Sequence, residues 1–148
     1  MGTKYQGSAE EVRALNAFIK LTRASNSVLD RTNRHITAAG LTTSQFGVLE
    51  ALYHIGTLSQ VEMARKLLLS TANITTVIQN LEKRGLVCRD RSPEDNRVMR
   101  VNLTDEGRAL VERLLPHHVA GITAELSVLT AEEQETLAAL CRKLGLGT

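Results

Sequence analysis

A helix-start signal that occurs four times divides this chain into separately capped helices. In each copy a serine or threonine precedes glutamate or glutamine by three residues, a spacing at which each side chain can accept a hydrogen bond from a backbone amide that the helix leaves unpaired. The four pairs are Ser8 with Glu11, Thr42 with Gln45, Ser59 with Glu62, and Thr130 with Glu133. Gly40, Gly56 and Gly85 follow apolar segments, where a left-handed C-terminal cap favours glycine. We predict helices at about 9–39, 43–55, 60–68, 71–84, 105–128 and 131–144.

Between the fourth and fifth of these helices the pattern becomes that of a β-hairpin. Residues 86–91 and 98–103 place Val, Met and Cys among charged residues, and the turn-rich residues 92–96 separate them. The two preceding helices are joined by a tight turn around Leu69 and Ser70, which is the spacing of a helix-turn-helix. The predicted fold class is mainly α with a small β-hairpin: a winged helix-turn-helix with N- and C-terminal dimerisation helices.

The helices at both ends carry apolar stripes that the short middle of the chain is too small to cover. Five of the eight positions 12, 15, 19, 22, 26, 29, 33 and 36 are apolar. We expect a homodimer to bury these stripes; the alternative is that the helices pack only on their own chain. The predicted divisions are an N-terminal dimerisation helix (1–40), a winged helix-turn-helix (41–104) and C-terminal dimerisation helices (105–148).

The second helix of the helix-turn-helix is predicted to enter a DNA major groove. The residues predicted to face inward from the two helices are Val61, Ala64, Leu68, Ile74, Val77, Ile78 and Leu81. Small uncharged groups that can approach base edges and phosphates face outward. They are Ser70, Thr71, Asn73, Thr75, Thr76 and Gln79. Many small helical domains have a polar outer face without binding nucleic acid, so the helices alone leave both interpretations open.

The hairpin favours DNA as the partner, because four arginines lie on or beside its tip. They are Arg89, Arg91, Arg97 and Arg100. Asp95 can fix the guanidinium of Arg97, and an oriented arginine suits the strong negative potential of a narrow minor groove. Within the winged helix-turn-helix, the residues expected to contact phosphates are Ser59, Lys83, Arg84 and Arg91. The net charge of the chain is only +2, but residues 59–104 carry eight basic against five acidic side chains.

The composition argues against several other classes of protein. Aromatic residues make up 3% of the chain, too few for stacking platforms that bind single-stranded bases. No apolar run is long enough to cross a membrane, no secretory signal is evident, and two cysteines make no disulfide framework, so we expect a cytoplasmic protein. The chain lacks the common catalytic and nucleotide-binding motifs, so we expect neither an enzyme nor a cofactor.

Three segments carry a more specific resemblance: Asn73–Val87, Asp95–Arg97 and Val101–Gly107. A D-x-R motif followed six residues later by L-T-x-x-G is similar to the wing signature of the MarR (multiple-antibiotic-resistance regulator) family of bacterial transcription factors. The resemblance implies an obligate homodimer that binds a pseudo-palindromic operator, usually as a repressor relieved by a small molecule or by oxidation. One departure is Asn96, where arginine is common; this weakens a phosphate contact but leaves the Asp95–Arg97 pair.

The resemblance also implies a cleft for a small ligand, often phenolic or otherwise aromatic. Its candidate lining residues here are Phe18, His35, Phe46 and Leu115, each of which could equally be ordinary core. An alternative is a thiol switch at Cys88 or Cys141, although both could simply fill space. No metal site is expected, because adjacent His117 and His118 point about 100° apart on a helix, and His35 and His54 are expected to be isolated.

One competing class is a winged-helix adaptor that contacts proteins and not DNA. Replacing Arg97 with alanine would leave such an adaptor functional but would weaken a DNA-binding regulator.

Overall fold

The computed structural model describes residues 2–148, which form seven helices and three short strands. In chain order these are α1 (Ala9–Thr32), α2 (Arg34–Ala38), α3 (Thr43–Ile55), β1 (Leu58–Ser59), α4 (Gln60–Leu67), α5 (Thr71–Lys83), β2 (Val87–Arg91), β3 (Met99–Leu103), α6 (Asp105–Leu126) and α7 (Ala131–Leu146). The chain divides into two compact units. Residues up to 34 together with 119–148 form one, here called the terminal unit, and residues 35–118 form the central unit.

All four predicted capping boxes are present. In each of them the two hydrogen bonds between side chain and backbone are 2.8–3.2 Å long. Gly40 and Gly85 have the expected positive φ, +80° and +73°. Gly56 ends α3 differently, with φ +99° and ψ −158°, a conformation that is open essentially to glycine alone. The capping-box pattern therefore predicted where helices start, whereas the glycine pattern did not predict the backbone conformation at the end of α3.

The predicted first helix, 9–39, is two helices. Asn33 interrupts it with φ −92° and ψ −1°. Immediately before Asn33, the Thr32 hydroxyl donates to the carbonyl of Val28 at 2.8 Å, a contact that competes with the helical hydrogen bond and bends helices. The boundary between the terminal and central units falls one residue after Asn33, at Arg34.

The inward face predicted for α4 is confirmed at Ala64 and wrong at Val61 and Leu68. Met63 and Ala64 are buried and Leu67 is half-buried, so the inward stripe runs through these residues. Val61 and Leu68, which lie about a quarter turn from that stripe, are 61% and 91% exposed. Leu68 also leaves the helix in a left-handed conformation with φ +54°. On α5 the expected residues do face inward: Ile74, Ile78 and Leu81 are buried and Val77 is partly buried.

The hairpin belongs to a three-stranded antiparallel sheet of order β1-β3-β2. The register pairs Val87 with Leu103 and Arg91 with Met99. The strand β1 was not predicted, because two residues are too few to show an alternating pattern. It pairs Leu58 with Val101 and so joins the start of α4 to the sheet.

The L-T-x-x-G motif joins the sheet to α6. The Thr104 hydroxyl donates to the carbonyl of Gly85 at 2.7 Å and accepts from the backbone N–H of Gly107 at 3.0 Å. The Thr104 N–H donates to the carbonyl of Leu86 at 3.2 Å. Gly107 is buried against that same carbonyl, and a β-carbon at this position would overlap it. The motif thus has a packing function that is independent of DNA.

Candidate nucleic-acid interface

The turn between α4 and α5 fixes where α5 begins. Leu68 and Leu69 donate their backbone N–H groups to the carbonyls of Arg65 and Ala64, which closes the end of α4. Ser70 follows in extended conformation, and its hydroxyl accepts from the N–H of Asn73 at 3.1 Å. The remaining N–H groups of the first turn of α5 make its start a favourable place for a phosphate.

The outward face of α5 is polar and uncharged. Its exposed residues are Ser70, Thr71, Ala72, Asn73, Thr76, Gln79 and Asn80. Thr75, also predicted to face outward, is half-buried, and its hydroxyl donates to Thr71 and accepts from Gln60. Ala72 and Asn80 were not among the predicted contacts, although their positions on the helical wheel place them beside Thr76. Ala72 was not predicted as a contact because its side chain cannot form hydrogen bonds.

At the tip of the wing, Arg97 is held by a carboxylate and remains largely exposed. The Asp95 oxygens accept from Arg97 Nε at 3.1 Å, from its terminal nitrogen at 3.2 Å and from its backbone N–H at 3.0 Å. These bonds, first from the side chain and then from the backbone of Arg97, hold the pKa of Asp95 below its usual value. The Arg97 side chain is 90% exposed, so its cation is both oriented and accessible.

The other arginines of the wing are engaged within the central unit. Arg89 pairs with Glu82 at 2.9 Å, and its hydrogen bond lowers the pKa of that carboxyl. Arg100 pairs with Asp90 at 2.9 Å and lowers the pKa of Asp90 in the same way. The predicted phosphate ligand Arg91 donates to the backbone carbonyl of Asn96 at 2.7 Å and thereby supports the wing loop.

Lys83 and Arg84, both predicted to contact phosphates, have different surroundings in the structure. Arg84 donates to the carbonyl of Gly40 at 2.8 Å, whereas Lys83 is exposed at the end of the outward face of α5. Ser59 is half-buried as the N-cap of α4, where its hydroxyl accepts from the N–H of Glu62. Lys83 is therefore better placed than Arg84 to meet an anion.

Three of the four candidate cleft residues lie in the central unit, and Phe18 lies in the terminal unit. The expectation that His35 is isolated is wrong. Its Nε2 lies 3.1 Å from Nδ1 of His118, and its ring lies 4.9 Å from that of His117. The ring of buried Phe46 meets His118 edge to face at 5.0 Å. Leu115, one turn before His118, is half-buried. No sequence pattern signalled the histidine pair, since its members are 83 residues apart.

Both cysteines are free and exposed, Cys88 in the central unit and Cys141 in the terminal unit. Among residues 2–148 no group of three or more His, Cys, Asp or Glu side chains could hold a metal ion. Within the same range, every helix is too short or too polar to span a bilayer.

Comparison with known proteins identifies the family. The model of the MarR family matches residues 41–99. The HTH-type transcriptional regulator MhqR of Bacillus subtilis is 38% identical over 134 residues, which are 90% of this chain and 92% of MhqR.

Two solved structures resemble the chain along most of its length. Sco3205, a MarR family regulator from Streptomyces coelicolor solved in complex with DNA, is 25% identical with a TM-score of 0.85, over 99% of this chain and 92% of its own. BpsR of Bordetella bronchiseptica, whose DNA binding is regulated by 6-hydroxynicotinic acid, is 30% identical with a TM-score of 0.79, over 87% of this chain and 98% of its own. MhqR and Sco3205 are transcriptional regulators and not enzymes. The chain therefore belongs to the MarR family of winged-helix, DNA-binding transcriptional regulators.

Proposed function

We propose that this regulator is a homodimeric repressor that binds a pseudo-palindromic operator in the cytoplasm and is released by a small aromatic ligand. The observation that carries the DNA-binding mode is the oriented, exposed Arg97 on the same compact unit as the uncharged outward face of α5. In each subunit α5 enters the major groove, and Arg97 enters the flanking minor groove. The two α5 helices then lie about 34 Å apart, one turn of DNA.

The homodimer is supported by the apolar surface of the terminal unit. None of the residues of α7 is buried, and α1 buries only Thr32. An apolar groove of about 390 Å³ runs between the two helices. Its lining residues are Ala14, Ala17, Phe18, Leu21, Leu137, Leu140, Cys141 and Leu144. Monomers rarely expose so continuous an apolar surface, so a second copy is the partner that covers it.

The aromatic ligand is supported by the chemistry around His35 and His118. A hydroxylated aromatic carboxylate, the class to which the regulator of BpsR belongs, would accept a hydrogen bond from an imidazole N–H group of this pair. Its ring would pack on Phe46, which already contacts His118 edge to face. Release from DNA requires that the ligand bind more tightly to a conformation whose α5 helices do not fit successive grooves.

Fluorescence anisotropy with labelled duplexes tests the DNA-binding mode. We expect the protein to bind the DNA upstream of its own gene more tightly than random duplex, with an affinity that falls steeply as salt rises. Arg97→Ala should weaken specific binding by about 10- to 100-fold and reduce the salt slope by about 2, about 1 for each subunit of the dimer. Arg142→Ala, which removes one exposed charge from the terminal unit, is the matched control. Unchanged function in Arg97→Ala without DNA binding would favour the protein-binding adaptor.

The ligand is tested with 6-hydroxynicotinic acid as the probe. We expect it to release wild-type protein from DNA. A His35→Phe/His118→Phe double variant should bind DNA normally and need about tenfold more ligand, since the charge-assisted hydrogen bond from the histidine pair is lost. His54→Phe, an exposed histidine elsewhere in the central unit, is the control. Equal release of the double variant and the wild type would refute this ligand site.

A further inference from the structure

Over residues 70–80, the outward face of α5 contains no cation with which to recognise guanine. Residues 70–80 include no charged side chain, and the first cation along the helix is Lys83. Guanine is recognised in the major groove chiefly by Arg or Lys, which donate two hydrogen bonds to its O6 and N7. Lys83 lies two turns beyond the residues that an inserted helix places deepest in the groove. The chemistry left to this face is that of amides, hydroxyls and methyl groups.

The hydroxyls of two threonines in the middle of α5, Thr75 and Thr76, are already engaged with the helix itself. Thr76 Oγ1 donates to the carbonyl of Ala72 at 3.1 Å, and Thr75 Oγ1 donates to the carbonyl of Thr71 at 2.8 Å. A hydroxyl has only one proton to donate, so neither threonine has a donor left for a phosphate or a base. Thr76 is exposed and lies opposite the buried side of α5, at its outermost point. Its γ-methyl group is therefore the part of the side chain that meets the DNA.

Gln79 is three residues from Thr76 on the same face and is exposed. Nothing in residues 2–148 forms a hydrogen bond with its side-chain amide. An unpaired amide presents a donor and an acceptor side by side, which matches N7 and N6 of adenine. Adenine and the methyl group of thymine occur together in an A·T pair, so the methyl group of Thr76 and the amide of Gln79 select the same kind of base pair.

We infer that α5 selects A·T base pairs in each half-site, with the Thr76 methyl group packed on a thymine methyl and Gln79 bonded to adenine. This inference rests on the proposed insertion of α5 into the major groove. It assigns sequence specificity to an apolar contact and one amide, and it leaves Arg97 and Lys83 to supply affinity that does not depend on major-groove bases.

The test first selects bound duplexes from a random library with the full-length protein. We expect A·T pairs at the major-groove positions of both half-sites. Affinity is then measured for the selected duplex and for one in which deoxyuridine replaces the half-site thymines, a change that removes only methyl groups. Loss of one buried methyl contact corresponds to about 0.8 kcal/mol, or about fourfold per half-site and about sixteenfold for both.

Two substitutions at Thr76 separate its methyl group from its hydroxyl. Thr76→Ser keeps the hydroxyl and should bind the thymine and deoxyuridine duplexes equally. Thr76→Val keeps a methyl group and should retain the preference for thymine. Normal binding with G·C-rich half-sites, or unchanged sensitivity to deoxyuridine in Thr76→Ser, overturns this inference alone. Absence of salt-dependent DNA binding in the wild type overturns the proposed function and the inference together.

Discussion

At the residue scale, Gly107 leaves no room for a side chain because it packs directly on the backbone carbonyl of Leu86. Gly107→Ala should destabilise the fold by about 1–3 kcal/mol, because either the sheet or α6 must move to admit the methyl group. Gly121→Ala is the matched control in the same helix: an added β-carbon meets nothing within 4 Å, and alanine favours the helix by up to about 1 kcal/mol. Urea unfolding at one fixed protein concentration measures both, and equal stabilities would contradict the packing argument.

A second prediction at this scale concerns Asp95, whose negative charge repels DNA but whose hydrogen bonds orient Arg97. Asp95→Asn removes a negative charge near DNA, which by itself raises affinity, but it also frees the side chain of Arg97. Ordering a long side chain on binding costs about 0.5–1.5 kcal/mol, so we expect a net loss of about two- to tenfold in affinity. The salt slope should not fall, since Arg97 remains. Tighter binding by Asp95→Asn would mean that the pair does not position Arg97.

The pH dependence of the wing follows from the same pair. Its hydrogen bonds with Arg97 lower the pKa of Asp95 in the folded protein. A carboxyl whose folded pKa is lowered contributes its interaction above its unfolded pKa, near 3.9, and loses it as pH falls through the lower folded value. We therefore expect the decrease in affinity caused by Asp95→Asn to be constant between about pH 5 and 8. Anisotropy titrations at several pH values measure it, and a change within that range would contradict the assignment.

At the scale of elements, the cap of α5 has a structural role and, in the proposed binding mode, also faces the DNA. Ser70→Ala should cost about 1 kcal/mol of stability, since the N–H of Asn73 loses its acceptor. Ser70→Asp should keep that stability, because aspartate caps well, yet weaken DNA binding by placing a negative charge toward phosphates. Thr130→Asp, at a cap of the terminal unit, should change neither property much. Comparing thermal unfolding with DNA affinity separates the roles, and unweakened binding in Ser70→Asp would place the start of α5 away from DNA.

The same scale shows what sequence patterns could and could not predict here. Helix starts were predicted correctly because a capping box is a local contact between residues three apart. The side of α4 that faces inward was not predicted correctly at Val61 and Leu68. Eight residues give little periodicity, and Leu68 leaves the helix in a left-handed conformation. The strand β1 and the contact of His35 with His118 depend on tertiary pairing across 43 and 83 residues, which no local pattern records. On α5, hydrogen-bonding capacity was visible in the sequence, but the engagement of the Thr75 and Thr76 hydroxyls was not.

At the scale of the whole molecule, the proposed function depends on a second copy. Leu140 and Phe18 are 60% and 65% exposed on the groove between α1 and α7. Leu140→Lys places a charge on this apolar surface and should convert the dimer to a monomer at micromolar concentration, because a buried, unpaired ammonium is costly. Val61→Lys, an equal change at an exposed apolar position of the central unit, should remain dimeric.

Loss of the dimer should weaken operator binding far more than loss of any single contact. Each central unit would still fold and bind one half-site, but the second half-site would no longer be held at high effective concentration, an effect of about 10²- to 10⁴-fold. Light scattering coupled to size exclusion gives the mass, and anisotropy gives the affinity for one half-site and for two. In Leu140→Lys the two affinities should become equal, whereas Val61→Lys should keep the wild-type difference between them. A dimeric Leu140→Lys would show that the dimer uses another surface, and a monomer that still distinguished two half-sites from one would show that DNA itself pairs the subunits.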